Sequence, residues 1–152
     1  MVDIQKTLVL IKPDGVQREL IGQVIGRFER KGLKIVGLKL LALDETILAD
    51  HYSHHVGKPF YEGLVKFMME TPVVAVILEG NDVVNEVRKI VGSTNPRQAD
   101  AGTVRADLSM DVAGNIVHAS DSPENAQVEI KRFFGEGEVF SYRKLTDPYI
   151  FG

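Results

Sequence analysis

His118 and Glu129 are the residues of this chain whose types and spacing most clearly invite chemistry. They sit in "NIVHASDSPENAQVEIKRFF", residues 115–134, where a short apolar run ends in a lone histidine and a helical pattern begins. A packing histidine would have bulky neighbours, whereas Ala119 and Ser120 are small enough to leave this imidazole accessible. Asp121 or Ser122 is a good N-cap, Pro123 is favoured at the first helical position, and Glu124 suits the first turn. The histidine therefore falls at a strand end beside a helix N-terminus, whose free N–H groups attract anions. In that helix Ala126, Ile130 and Phe133 define the inward face, and Glu129 lies at its edge. A carboxylate placed there needs a partner, and His118 is the obvious one. An imidazole whose tautomer is fixed by a carboxylate has one free nitrogen, which suits a nucleophile or a general base near neutral pH.

Positive charge is the second ingredient. Lys12 follows the apolar run "TLVLI", Arg88 falls at the margin of the apolar arc Val83–Val91, and Arg105 stands in an aperiodic stretch. On its own Arg88 is either a snorkelling side chain or a fork aimed at a phosphate or carboxylate. Neither standard nucleotide loop is present: "VGKPF" has proline where a Walker loop needs a hydroxyl, and "GEGEVF" has Phe140 where the third glycine belongs. Any phosphate bound here must be held mainly by side chains. "HYSHH" places His51 and His55 at i, i+4, a spacing that two metal ligands could share. Without a partnering Glu or Cys, these histidines read better as a solvated helix end.

The elements that must position these groups follow from periodicity. "TLVLI" reads as a buried strand, with "KPDG" as a turn in which Pro13 presets the backbone angle and Gly15 relieves it. Leu20, Ile21, Val24, Ile25 and Phe28 share a helix face that Gly32 ends. Leu33–Leu43 is a half-buried strand, residues 45–69 are two helices broken at Gly57–Pro59, and "PVVAVILEG" is a strand buried on both faces. A helix over Val83–Val91, the short strand "NIVH" and a helix over Pro123–Phe134 complete the order. This predicts an α/β (α+β) chain of the ferredoxin-like βαββαβ type, a small antiparallel sheet with helices on one face. Residues 92–114 show no sustained period; a loop so long points to function or subunit contact, and "GTVRADL" within it is locally strand-like.

Composition narrows the partners. A chain of 152 residues with 44% hydrophobic and 26% charged content is expected to be one globular domain, 1–152, with about 135–152 a tail on the domain or a neighbouring subunit. A net charge of -3 gives no reason to expect nucleic acid as the main partner. The absence of cysteine excludes disulfides, thiolate metal sites and a cysteine nucleophile. No apolar stretch approaches membrane-spanning length, and the expected location is the cytoplasm.

Taken together, "IKPDGV", "NPRQADAGTVRAD" and "NIVHASDS" resemble the nucleoside diphosphate kinases, over about Lys6 to Phe134. The resemblance implies transfer of the γ-phosphate of a nucleoside triphosphate, mainly ATP, to nucleoside diphosphates through a phosphohistidine on His118. It implies that Glu129 and Ser120 orient the imidazole, and that Lys12 reaches the transferring phosphate and the ribose. It also places Tyr52 near that phosphate, Arg88, Thr94 and Arg105 on the phosphate chain, and Asn115 on the 3′-hydroxyl. Phe60 would stack on the base with Val112 on its other side, and Mg²⁺ would ride on the phosphates with Asp121 reaching it through water. Pro96 and the extended tail resemble those of hexameric members, so a homohexamer is favoured. Ala119 and Ala106 stand where the family more often has glycine.

The residues fit that implication, because phosphoryl transfer needs positioning and positive charge more than covalent machinery. An aromatic face such as Phe60 accepts any base. Two competing readings remain at this level. One is a catalytically idle ferredoxin-like interaction or regulatory module, which a break in the motif set would favour. The other is a phosphohistidine relay to a protein acceptor, against which Phe60 and Asn115 speak.

Overall fold

The second half of β1 (Ile4–Ile11), Leu8 to Ile11, and most of β3 (Val73–Asn81) are continuous apolar runs, and the architecture follows from having to cover both faces of each. The computed structural model describes residues 2–151, so the end residues 1 and 152 of the expected domain lie outside the described residues. Between β1 and β3 come α1 (Pro13–Gln17), α2 (Ile21–Lys31), β2 (Lys34–Leu41), α3 (Glu45–His51) and α4 (Tyr61–Met68). After β3 come α5 (Val83–Val91), α6 (Val104–Leu108), β4 (Val117–Ala119), α7 (Pro123–Phe133) and α8 (Asp147–Phe151). The strands form one antiparallel sheet in the order β2-β3-β1-β4, which is the ferredoxin-like fold expected from the element order.

Helices cover both faces of the sheet rather than one. Val9, Ile11, Val76 and Leu78 pack against Val24 and Phe28 of α2 and Val83 and Val87 of α5. Leu8, Leu10, Ala75 and Ile77 pack against Leu48 of α3, Met68 of α4 and Phe133 of α7. The reason is the strand period of two: an unbroken apolar run leaves an apolar set on each side, and both must leave water. Phe28, Leu48 and Met68 are wholly buried, and each such side chain stabilises the fold by about 1.5–3 kcal/mol.

Most boundaries follow local rules. Gly32 takes a left-handed φ of 95° and ends α2, and Ser122 caps α7 by accepting from Asn125 N at 3.1 Å. Two local expectations change. "KPDG" continues as a single-turn helix, α1, and Gly15 is needed there for closeness, since a Cβ would meet Ile11 Cγ2 at 2.8 Å and Ile116 Cγ2 at 2.9 Å. "GTVRADL" is helical, not strand-like: Thr103 Oγ1 accepts from Ala106 N at 3.2 Å and starts α6. Five residues are too few for alternation to distinguish the two states.

The tail returns along the edge strand β2. Phe140 N donates to Val36 O at 2.8 Å, Tyr142 Oη to Ile35 O, and Lys144 Nζ to Gly32 O at 3.2 Å. Among the described residues, no helix is long and apolar enough to cross a membrane.

Candidate active site

β4 sets the direction of the central imidazole. It pairs with β1 so that His118 stands opposite Leu10. Val117 and Ala119 turn into the α2/α5 core, so the alternation of a strand sends His118 to the other face, toward α3 and α7. Ala119 is therefore packed into that core while also bordering the pocket over the imidazole. A pocket of about 520 Å³ lies over His118. Lys12, Tyr52, Arg88, Thr94, Arg105, Asn115, Asp121 and Glu129 all line it, each from a different element or connection of the chain. Ser120 lies beneath it, fully buried. Phe60 and Val112 lie outside its wall, each about half exposed at 52% and 50%.

The imidazole is held from behind. His118 Nε2 donates to Glu129 Oε1 at 3.0 Å, and Ser120 Oγ donates to the same oxygen at 2.5 Å. Burial opposes ionisation of Glu129, but the His118 and Ser120 hydrogen bonds win, and its carboxyl sits below its ordinary value. An ionised Glu129 can only accept, so the ring proton stays on Nε2 and Nδ1 is left as the free lone pair.

His51 is the main correction to the sequence reading. It is buried at 7% exposure, not part of a solvated helix end; of the three histidines in this segment only His54 is exposed. Its ring meets the His118 ring edge to face, with centroids 4.8 Å apart. Arg132 NH1 donates to His51 Nδ1 at 2.9 Å, and Arg132 Nε to Asp50 Oδ2 at 2.8 Å. Burial, reinforced by His118 and Arg132, pushes the His51 pKa down to about 3, so the ring is neutral near pH 7. The helix pattern carried a signal for this: His51 lies three residues after the buried Leu48, and Arg132 three after Glu129. His51, His118 and Glu129 offer three possible ligand atoms within 4.8 Å of one another. The Arg132 donor already engages His51 and its positive charge opposes a second cation, so Glu129 is left to His118 as a hydrogen-bond partner, with His51 packed against the ring.

This neutral histidine makes stability depend on pH in a definable window. Its folded pKa lies below the unfolded value, so the unfolded chain binds the extra proton and stability falls as pH drops from about 6.5 toward about 3. A His51→Asn variant is expected to lose that component, at most about 1.4 kcal/mol per pH unit. Urea unfolding of both proteins at pH 7 and pH 4.5 measures it; an identical pH slope would show that His51 is not buried neutral.

The cationic side of the pocket is built on Asn115. Its Oδ1 accepts from Lys12 Nζ, and its Nδ2 donates to Thr94 O at 3.0 Å. Burial lowers the Lys12 pKa to about 8, with Asp14 opposing and Arg105 adding to the shift. Arg105 is buried and trusses the loop: its guanidinium donates to Gly92 O at 2.9 Å, Val117 O at 2.6 Å and Asn115 O at 3.3 Å. A guanidinium has five N–H donors, so two are left for the pocket. Burial and then Arg88 lower its pKa to about 10, and it remains cationic. Arg88 NH1 reaches Ala119 O at 3.5 Å. Burial, aided by Glu129, raises the Tyr52 phenol to about 12, which keeps it a neutral donor. Asp121 Oδ1 accepts from Asn125 Nδ2 at 2.6 Å at the mouth of the same pocket.

Comparison with known proteins agrees with this geometry. The family described as "Nucleoside diphosphate kinase" matches residues 5–139. The nucleoside diphosphate kinase of Carboxydothermus hydrogenoformans is 47% identical over 148 residues, covering 97% of this chain and 99% of the relative. The halophilic nucleoside diphosphate kinase of Halobacterium salinarum, solved in complex with CDP, superposes with a TM-score of 0.93 at 39% identity, covering 97% and 99%. The Borrelia burgdorferi enzyme, a transition-state mimic with bound vanadate and ADP, gives 0.89 at 36% identity, covering 97% and 98%. Fold and pocket define an enzyme, a phosphotransferase that carries the phosphoryl group on a histidine. Within that class, the chain belongs to the nucleoside diphosphate kinase family.

Proposed function

We propose that His118 Nδ1 is the atom that carries the phosphoryl group, in a ping-pong exchange between nucleoside triphosphates and diphosphates. The observation behind this reading is the His118–Glu129 bond, which commits Nε2 and leaves Nδ1 free over a pocket walled by Lys12, Arg88 and Arg105. In the first half-reaction the Nδ1 lone pair attacks the γ-phosphorus of ATP, a P–N bond forms, and the P–O bond to the β-phosphate breaks. The electron pair of that bond leaves on the ADP oxygen. In the second, a β-phosphate oxygen of an incoming diphosphate attacks the same phosphorus and the P–N bond breaks. The Nε2 proton stays throughout between the ring and Glu129, where the carboxylate compensates the charge that develops on the imidazole.

Lys12, Arg88, Thr94 and Arg105 bind the phosphate chain, Tyr52 donates to the transferring group, and Lys12 with Asn115 receives the sugar 3′-hydroxyl. Asp121 fits the Mg²⁺ cofactor: it is a carboxylate at the pocket mouth, and a hard oxygen reached through water suits a cation that keeps its hydration shell. When bound, that ion neutralises phosphate charge. The chain acts as one functional unit with its tail, in a homo-oligomer, and Pro96 and the tail support a hexamer. The test of the central claim is incubation with γ-labelled ATP and Mg²⁺: acid-labile label on the protein, chased by any nucleoside diphosphate, supports it. Absence of label overturns it.

Base recognition in this reading is stacking on Phe60, backed edge-on by His55 at 5.0 Å, with Val112 on the far side of the base. Phe60→Ala is expected to weaken purine and pyrimidine nucleotides alike. Because the ring is half exposed, the loss should fall toward the low end of about 1–3 kcal/mol per base. Titration with ADP, GDP, CDP and UDP reads it, and a loss confined to one base would mean that base edges are read by hydrogen bonds.

A further inference from the structure

Ile116 is the strained point of the site, and both of its backbone groups are held from one place. Its φ is +72°, a region that a β-branched residue rarely enters. Val117 N donates back to Asn115 O at 2.8 Å and closes a three-residue turn around it. Ile116 N donates to Asp14 Oδ2 at 3.0 Å, while its carbonyl accepts from Lys12 N at 2.8 Å. On one side the turn carries Asn115, which grips Lys12 and Thr94; on the other it leads through Val117 to His118. The second oxygen of Asp14, Oδ1, is buried with no hydrogen-bond partner among the described residues. A carboxylate with one oxygen buried and unpaired costs free energy, and a neutral side chain could anchor the turn without that charge.

We propose that Asp14 is a positioning residue of the transfer reaction, holding the Ile116 turn closed while setting a fixed negative charge beside the Lys12 ammonium. This rests on the reading that Lys12 serves the phosphates. The charges that act on Lys12 are Asp14 of α1 and Arg105 of α6, with Tyr52, Arg88, His118 and Glu129 in the same pocket wall and the Phe67 ring of α4 at 5.9 Å. Asp14 is thus the negative neighbour that opposes burial and Arg105, and without it the ammonium gives up its proton at lower pH.

The test compares Asp14→Asn and Asp14→Ala with the parent enzyme. In nucleotide-free protein, an NMR titration of Lys12 is expected to move to lower pH in both variants. The alkaline limb of kcat/KM should move the same way. At neutral pH kcat/KM should fall about ten- to a hundredfold in the Ala variant, and less in the Asn variant, which keeps an acceptor for Ile116 N. Should the Ala variant fail to fold, the near-isosteric Asn variant carries the test. A folded Asn variant with an unmoved Lys12 titration, an unmoved alkaline limb and parental kcat/KM overturns the proposal, whether or not its thermal stability falls. If the parent itself transfers no phosphoryl group, the functional reading fails separately, and the Lys12 titration still decides the role of Asp14.

Discussion

A His118→Ala protein is expected to take no acid-labile label from γ-labelled ATP and to exchange no phosphoryl group between nucleotides. The chain has no cysteine to substitute. His51, the other imidazole against Glu129, is engaged at Nδ1 by Arg132 and buried, so it cannot take over the phosphoryl group. The fold should survive, because His118 is partly exposed and its ring is not part of either hydrophobic cluster. Glu129 would keep Ser120 as a donor, so the stability change should stay within about 1–3 kcal/mol. Far-UV circular dichroism and a coupled turnover assay on the same preparation read both arms. A folded variant with parental turnover would remove His118 from the mechanism.

Glu129→Gln should slow the enzyme rather than stop it. The amide can still accept from His118 Nε2 and Ser120 Oγ, but it no longer compensates positive charge on the phosphorylated ring. A hydrogen bond to a charged partner contributes roughly 1.5–3 kcal/mol, so the phosphorylation step should slow by about ten- to a hundredfold. The phosphoenzyme itself carries that charge, so its share at a given ATP to ADP ratio should fall as well. Rapid-quench measurement of both quantities tests this. If the rate and the phosphoenzyme share both stay at parental values, Glu129 serves packing only, and another group orients the ring.

How far the sequence carried the site depended on how local each signal was. His118, Glu129 and the Ser122 cap lie within one strand–helix junction, and the helix wheel was enough to pair the first two. His51 escaped because its burial is decided by α7, where Arg132, 81 residues away in the chain, and Phe133 close over it. Asp14 escaped for the same reason: within "KPDG" it reads as a turn former, and its partner Ile116 is 102 residues distant. The second helical layer was legible in principle, since an apolar run with no polar alternation in β3 requires cover on both faces. α1 and α6 were not legible, being five residues each and started by capping or by proline rather than by period.

Arg105 has a consequence for how variation at this locus is interpreted. One guanidinium ties together the C-terminus of α5 at Gly92, the turn at Asn115 and the strand at Val117, and also presents charge to the pocket. A lysine has one nitrogen on a flexible stem, and it would strand at least one of these carbonyls even while preserving the charge. Alleles at this codon would therefore behave like lesions of a core position, lowering protein abundance and chemistry together. A screen scored on activity alone would assign to phosphate binding what is in part the collapse of three chain segments onto an empty centre.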